Sequence, residues 1–462
     1  MLMELRIDRQ AMVPVVQQIV DGVIEWIARD AVAPTTRLPP VRQIARANLL
    51  SQACVAQACE RLVAQGVLTS RHGAGFIVAA SPSLAPGNAH WPGRGGNQGH
   101  RGFGAWLKLG DGGLPENWRE SDDLNYAIGQ VARADMASLF NYSSPLGLPA
   151  LREQIVKRLA LVGIPACENH VLTTHGASHA LDLLVRVLLK AGDHVVVETP
   201  GYAPLFDLLR MHGVHLLEVR RTPSGPDTDM LAALLDQFQP VAMFINSHHH
   251  NPTGTCLTQS VAHRILQLCA DHDVRLIEDD VYADMHQGNG TRLAALDARV
   301  IYVGSFSKTL SSSLRVGFVL ADEELIERLA QVKTVTSLGI CRFAEAVLAS
   351  LLASGAYRKL VQRQRQRLNT DRAAALQALE DADWEVFGKP VGGLFIWARP
   401  PVADPGRLHR IAKSSGVELA PASAFSPGGQ LVEWQRINVA YACDPRARQF
   451  FRNTRADRPQ AF

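Results

Sequence analysis

The stretch VGSFSKTLSSSLRVGF, Val303–Phe318, ends an apolar run with a lysine set among hydroxyls and brings an arginine seven residues after that lysine. The residues VIYVGS, 300–305, are β-branched and aromatic, which reads as a buried strand. Lys308 then stands just past the strand's carboxyl end, where partial desolvation lowers an amine's pKa and makes it nucleophilic. Ser305, Ser307 and Arg315 are the groups that suit a dianionic phosphate. A plain loop lysine does not explain their company.

Working outward, the same pattern repeats. Short runs HVVVE, VAMFIN and VRLIED alternate with the helical stretches HALDLLVRVLLKAG and SVAHRILQLCADH. Strand–helix alternation predicts an α/β fold with a mostly parallel sheet, whose ligands bind beyond the carboxyl ends of the strands. The residues following each run are therefore the informative ones. After VLTTH come Gly176, Ala177 and Ser178, a small-residue turn opening a helix, which suits a phosphate. After HVVVE comes Tyr202, an aromatic ring at the edge of the site. After VAMFINSHHH comes Asn251 in NPTG, turn chemistry with an amide to donate. After VRLIE come Asp279 and Asp280, then Tyr282. Adjacent carboxylates at the end of a buried strand need a cation, and Asp280 also fits a helix N-cap. His248, His249 and His250 suggest a metal, but consecutive residues of an extended chain face alternate sides, so none is expected. Each turn alone is ordinary. Together they supply a phosphate cradle, an aromatic plate, an amide, a carboxylate and an amine. That is the inventory of a pyridoxal phosphate site, with the lysine on the aldehyde and a carboxylate on the pyridine nitrogen.

From about Pro115 onward the sequence resembles fold-type I, class I/II aminotransferases. The motifs that carry the likeness are YSSPLGLPALREQI, THGASHALDLL, ETPGYAPL, HHHNPTG, EDDVYADM, SFSKTLSSSLRVG, VGGLFIW and WQRINVAY. The resemblance implies that Lys308 is the Schiff-base lysine and Asp279 the partner of the ring nitrogen. Asn251 and Tyr282 would bond the ring hydroxyl, and Tyr202 would stack on the ring. Ala177, Ser178, Ser305, Ser307 and Arg315 would surround the phosphate. Arg436 would grip the α-carboxylate of an amino-acid ligand. Tyr142 would reach the phosphate of a neighbouring subunit, which implies a homodimer, in the family's manner a domain-swapped one. The lysine-to-arginine step is shorter than in typical aspartate aminotransferases. It looks like that of aminoadipate-type enzymes and of one group of regulators.

A chain of 462 residues is long for a single core, so two or three domains are expected. An apolar share of 47% with 20% charged residues is that of a soluble globular protein, and a net charge of +3 does not by itself indicate a partner. No apolar run reaches membrane-spanning length, and the N-terminus lacks a signal-peptide core. Seven cysteines without a CxxC pair argue against a disulfide framework, so a cytoplasmic location is expected. The Gly/Pro/Ser-rich residues 81–113 read as a linker. Beyond it, the expected large part spans about 165–345, and the small part about 114–164 and 346–462.

Residues 1–80 are different. Val13, Val16, Val20, Val23, Ile24 and Ile27 have the spacing of an amphipathic helix. LPPVRQIA starts a second helix. LLSQACVAQACERLVAQG forms a third, with Ser51 as N-cap and Val55, Leu62 and Val63 buried. VLTSRHGAGFIVA reads as two strands around Gly73-Ala74-Gly75. This α+β segment resembles the winged helix–turn–helix of GntR regulators, and the whole chain resembles their MocR subgroup. Its eight arginines, no lysine and six acids give a balance of +2. Arg37, Arg42, Arg46 and Arg71 are the expected phosphate contacts, with Gly73 in the wing. Ser51 and Gln52 open the helix expected in the major groove, where Gln52 can read an adenine edge. The family's usual Ser-Arg-x-Thr is here Ser51-Gln52-Ala53-Cys54. The expectation is a regulator that binds operator DNA and senses an amino acid or amine through Schiff-base exchange. A working aminotransferase with an appended DNA-binding head is the alternative. A domain for which pyridoxal phosphate is itself the signal is a third reading.

Overall fold

A computed structural model describes Leu5, Ile7 and residues 15–29, 32–33, 35–64, 67–71, 75–79, 106–115, 118, 122–134, 140–285, 290–310, 312–430 and 433–455. The chain forms two units, Met1–Ala105 and Trp106–Phe462.

The first unit holds α1 (Val15–Arg29), α2 (Val41–Ala47), α3 (Gln52–Ala64) and a hairpin, β1 (Leu68–Arg71) with β2 (Gly75–Val78). Its core joins Ile19, Val20, Val23 and Trp26 of α1 to Ile44 of α2, Val55, Ala58 and Leu62 of α3, and Leu68 and Val78 of the hairpin. The helical period sets this face, with one shift from expectation. Ile24 points out, 40% exposed, and Ile19 is buried instead. Val63 is half-buried against the core rather than within it. Val13 lies outside the described residues. The Ser51 hydroxyl accepts from the Cys54 amide at 3.1 Å, the cap expected at the start of α3. The hairpin pairs Leu68 with Val78 and Arg71 with Gly75. Gly73 and the Arg71 side chain lie outside the described residues.

The second unit opens with α4 (Asp122–Ala134) and α5 (Pro149–Leu161). Then follow β3 (Val171–Thr174), α6 (Gly176–Leu188), β4 (His194–Thr199), α7 (Ala203–Met211), β5 (His215–Thr222), β6 (Gly225–Pro226) and α8 (Thr228–Phe238). β7 (Ala242–Ile245), α9 (Gln259–Asp271), β8 (Arg275–Asp279), α10 (Leu293–Leu296), β9 (Ile301–Ser305) and β10 (Gly317–Leu320) complete the sheet. The strand order is β3-β10-β9-β8-β7-β4-β5-β6. Neighbours from β9 to β5 are parallel, while β10 is antiparallel to both β3 and β9. Every strand from β3 to β5 except β10 thus ends at one edge, and β10 begins there. Central strands such as β7 are buried at every residue, which explains their unbroken apolar runs.

The chain continues through α11 (Glu323–Ser337), α12 (Arg342–Ala353), α13 (Ala356–Asp381), β11 (Glu385–Val386), β12 (Phe395–Arg399), α14 (Pro405–Ser414), β13 (Gln435–Asn438), α15 (Val439–Ala442) and α16 (Pro445–Asn453). A three-stranded antiparallel sheet, β11-β12-β13, anchors a separate core with α13, α14 and α16. The division into parts differs from expectation at both ends. Ala127, Leu151, Ile155 and Leu159 of α4 and α5 pack in the main sheet's core, as do Val347, Leu348 and Leu351 of α12. α13 bridges the two cores, with Tyr357, Leu360 and Val361 in one and Leu368, Ala375 and Leu379 in the other. Residues 106–113, expected in the linker, belong to the second core. Leu107 and Leu109 are buried there, and Leu107 bridges Val417. Their period-2 spacing was hidden by the glycines around it.

Candidate functional site

The sheet edge gathers the predicted residues because each closes or opens a strand there. Ala177 and Ser178 lie in the first turn of α6, after β3. Tyr202 follows β4, at the start of α7. Asp279 ends β8, Ser305 ends β9, and Arg315 precedes β10. The reversed strand brings Arg315 back to the same edge. There its Nη2 donates to the His175 carbonyl at 3.1 Å. The approach is close: a Cβ on Gly176 would stand 2.9 Å from the Arg315 guanidinium, and one on Gly317 would stand 2.7 Å from the Gly176 backbone carbon. Only glycines permit this, and Gly176 has φ +74° besides. The Ser307 amide donates to Ser305 Oγ at 3.2 Å.

Of the buried polar atoms that have no hydrogen-bond partner among the described residues, two belong to predicted site residues at this edge. One is Ser307 Oγ, beside Ser305. The other is Asp279 Oδ1, shielded from solvent although the residue as a whole is only half-buried. Burial, followed by the like charge of Asp280, pushes the Asp279 carboxyl up to about 7, against the Val281 amide and Lys308, which pull it down. A lone carboxylate acceptor is what a protonated pyridine nitrogen requires. Lys308 is half-buried, its Nζ 5.7 Å from the centre of the Tyr282 ring. Burial lowers its pKa, and nearby Arg436 lowers it further. Tyr282 is buried edge-on to Phe395. The donor set and the orphaned atoms fit pyridoxal phosphate.

Arg436 lies between the rings of Phe395 and Phe425, its guanidinium carbon 4.8 Å from each centre. Its Nη1 donates to Asn251 Oδ1 at 2.8 Å. Burial lowers its pKa without removing its charge. Tyr142 is apart from this group in character, being 82% exposed. In the first unit Arg37, Arg42, Arg46, Ser51 and Gln52 are all exposed.

Other residues of the site escaped the sequence reading. Asn246 ties the edge together. Its Nδ2 donates to the Asp279 carbonyl at 2.7 Å, its Oδ1 accepts from the Asn251 amide at 2.9 Å, and its own amide donates to Glu198 at 2.8 Å. Glu198 is paired with Arg221 at 2.5 Å, both buried. The segment Gly110–Gly113 crosses the site as a strap. Lys308 Nζ donates to the Gly112 carbonyl at 3.0 Å, Arg436 Nη2 to the Gly110 carbonyl at 2.7 Å, and Asn438 Nδ2 to the carbonyls of Asp111 at 3.0 Å and Gly113 at 2.7 Å. Only main-chain oxygens are used, so no residue type announced it. Asp280 is not a helix cap. It accepts from Arg292 Nε at 2.7 Å and from the Tyr302 hydroxyl at 3.0 Å. Burial alone would raise its pKa, but Arg292 and His248 hold it down. The three histidines diverge. His248 faces Asp280, His249 packs against Gly392 and Gly393, and His250 bonds Thr253.

Residues 105–450 match the family model for aminotransferase class I and II, and residues 15–78 match that for bacterial regulatory proteins of the gntR family. The chain is 26% identical to the HTH-type transcriptional regulator YdfD of Bacillus subtilis, over 93% of each chain. It is 28% identical to the "Probable rhizopine catabolism regulatory protein MocR" of Rhizobium meliloti, over 90% of this chain and 88% of that one. Among solved structures, the α-aminoadipate aminotransferase LysN of Thermus thermophilus, complexed with N-(5'-phosphopyridoxyl)-L-leucine, superposes with a TM-score of 0.69. That match has 26% identity and covers 75% of this chain and 92% of that one. A cofactor-binding aminotransferase fold thus follows a DNA-binding motif in one polypeptide. The chain belongs to the aminotransferase class I and II family, joined at its amino end to a gntR-type helix–turn–helix in the arrangement of the MocR regulators.

Proposed function

We propose that the protein is a transcriptional regulator whose second unit, loaded with pyridoxal phosphate, senses an amino acid and whose first unit binds operator DNA. The observation that carries this is the pairing of the orphaned Asp279 oxygen and half-buried Lys308 and Arg436 with a gntR motif in the same chain. When bound, the cofactor supplies an aldehyde for which Lys308 and a ligand amine compete, and a ring that withdraws electrons from the ligand's α-carbon. Asp279 holds the ring nitrogen. Ser178, Ser305, Ser307 and Arg315 hold the phosphate, with Ala177 in the helix turn beside it. Tyr202 covers the ring, and Asn251 and Tyr282 hold its hydroxyl. Arg436 receives the ligand's carboxylate as a bidentate partner.

That carboxylate competes with the Gly110 carbonyl for the guanidinium, so it bears directly on the strap. The strap follows in sequence on the segment that joins the two units. Ligand binding thereby has a route to the tether. Arg37, Arg42 and Arg71 contact phosphates, and Ser51, Gln52 and Gly73 lie at the DNA surface. The protein works as a homodimer, its exposed Phe140 and Tyr142 covered by a second copy. The test is operator binding by the loaded protein against a panel of amino acids. A ligand that perturbs the cofactor's absorption and also changes DNA affinity supports the reading, and one that does only the first contradicts it. Turnover is the second reading, favoured by the depressed pKa of Lys308, which leaves it able to move a proton. Product formation from an amino donor and an oxo acid measures it.

A further inference from the structure

The first two turns of α3 carry no cation on the face turned away from the core; half-exposed Arg61 stands in the last turn. Val55, Ala58, Cys59 and Leu62 face inward. Gln52, Ala53, Gln57 and Glu60 are exposed and Ala56 is half-exposed, at the helical spacing of one continuous stripe. A solvated helix face normally alternates charges. For its first six residues this one offers only amides and methyl groups. The exposed cations among the described side chains of the unit stand elsewhere: Arg42 and Arg46 on α2, and Arg37, which bridges Ile77 of the hairpin. Charge sits where a phosphate backbone would run, and uncharged groups fill the first two turns of the helix that would enter the groove.

We infer that α3 reads A·T base pairs in the major groove, with Gln52 and Gln57 on adenines and Ala53 and Ala56 against thymine methyl groups. The inference rests on the DNA-binding reading above and adds the bases recognised. A glutamine amide matches adenine's N7 acceptor and N6 donor, whereas guanine's paired acceptors call for a cation that the first two turns of this face lack. Alanine's methyl suits the thymine C5 methyl, which cytosine lacks. Gln52 and Gln57 are separated by roughly 7.5 Å along the helix axis. That is about two base-pair steps, so two A·T pairs at that separation are expected in each half-site.

The experiment is selection of randomised duplexes by the full-length loaded protein, followed by affinity measurements on the selected site. The expected half-site has A·T at the contacted positions. Gln52→Ala should lower affinity for it on the order of tenfold to a hundredfold. Replacing the contacted adenine by 7-deazaadenine should weaken the parent protein but not Gln52→Ala, a result that a merely structural glutamine would not give. Gln52→Arg should move the preference at that one position to guanine. A selected site with G·C at these positions, or one on which Gln52→Ala and Gln57→Ala bind like the parent, overturns the base assignment and leaves DNA binding standing. Failure to enrich any sequence overturns both.

Discussion

Asp279 carries more of the argument than any other single side chain, because its cost without a partner is measurable. Its carboxyl is raised from 3.8 to about 7, and that of Glu278 from 4.5 to about 7, in both cases first by burial. Between those values the folded chain holds more protons than the unfolded one. Stability of the cofactor-stripped protein should therefore fall as pH rises from about 4 to about 7, then level off. Asp279→Asn should flatten the Asp279 share of that slope and leave that of Glu278, whose oxygens accept from the Leu293 and Ala294 amides. Melting temperatures of both proteins across this range test it, and equal slopes would refute the assignment. Loading with the cofactor places a cation opposite Oδ1 and should remove the same share in the parent protein. A hydrogen bond to a charged group contributes about 1.5–3 kcal/mol, so Asp279→Asn should weaken cofactor affinity by tenfold or more in a fluorescence titration.

Among the elements, the strap is the part that composition concealed. Residues 106–113 sit in a glycine-rich stretch, yet Leu107 and Leu109 alternate into the core and Asn438 holds two strap carbonyls. The Asn438 side chain also caps α15 through the Ala440 amide at 2.9 Å. Asn438→Ala should cost about 1 kcal/mol through the lost cap and release the strap as well. Amide hydrogen exchange should then rise at residues 109–114 and stay unchanged in α6. Unchanged exchange in the strap would mean that its apolar anchors alone hold it. The strand-end residues were legible because each is a polar side chain closing an apolar run, and position on a parallel sheet fixes which edge it meets. Asn246, Arg292 and the strap were not. Their partners are backbone groups or residues far along the chain, which a local pattern does not register. The placement of α4, α5 and α12 against the main sheet was hidden for the same reason: an amphipathic helix declares a buried face but not which core receives it.

At the scale of the molecule, two cores of separate origin must communicate if the regulator reading holds. The first unit has its own apolar core, from Ile19 to Val78, so its folding does not depend on the chemistry at Lys308. Two changes should therefore separate cleanly. Arg42→Ala removes an exposed cation and nothing buried. It should weaken binding to all sequences alike and reduce the slope of log affinity against log salt by about 1, with the cofactor's absorption untouched. Lys308→Ala should abolish the absorption band of the lysine-bound cofactor and keep the salt slope. What it should lose is the response of DNA affinity to amino acids, since a ligand that binds two conformations equally shifts neither. The decisive comparison is the parent protein and Lys308→Ala on one operator, each with and without the effector. If Lys308→Ala still responds in full, the signal enters elsewhere than at Lys308. If it binds DNA with parental affinity and ignores the effector, the amine at the end of β9 is the point at which chemistry becomes regulation.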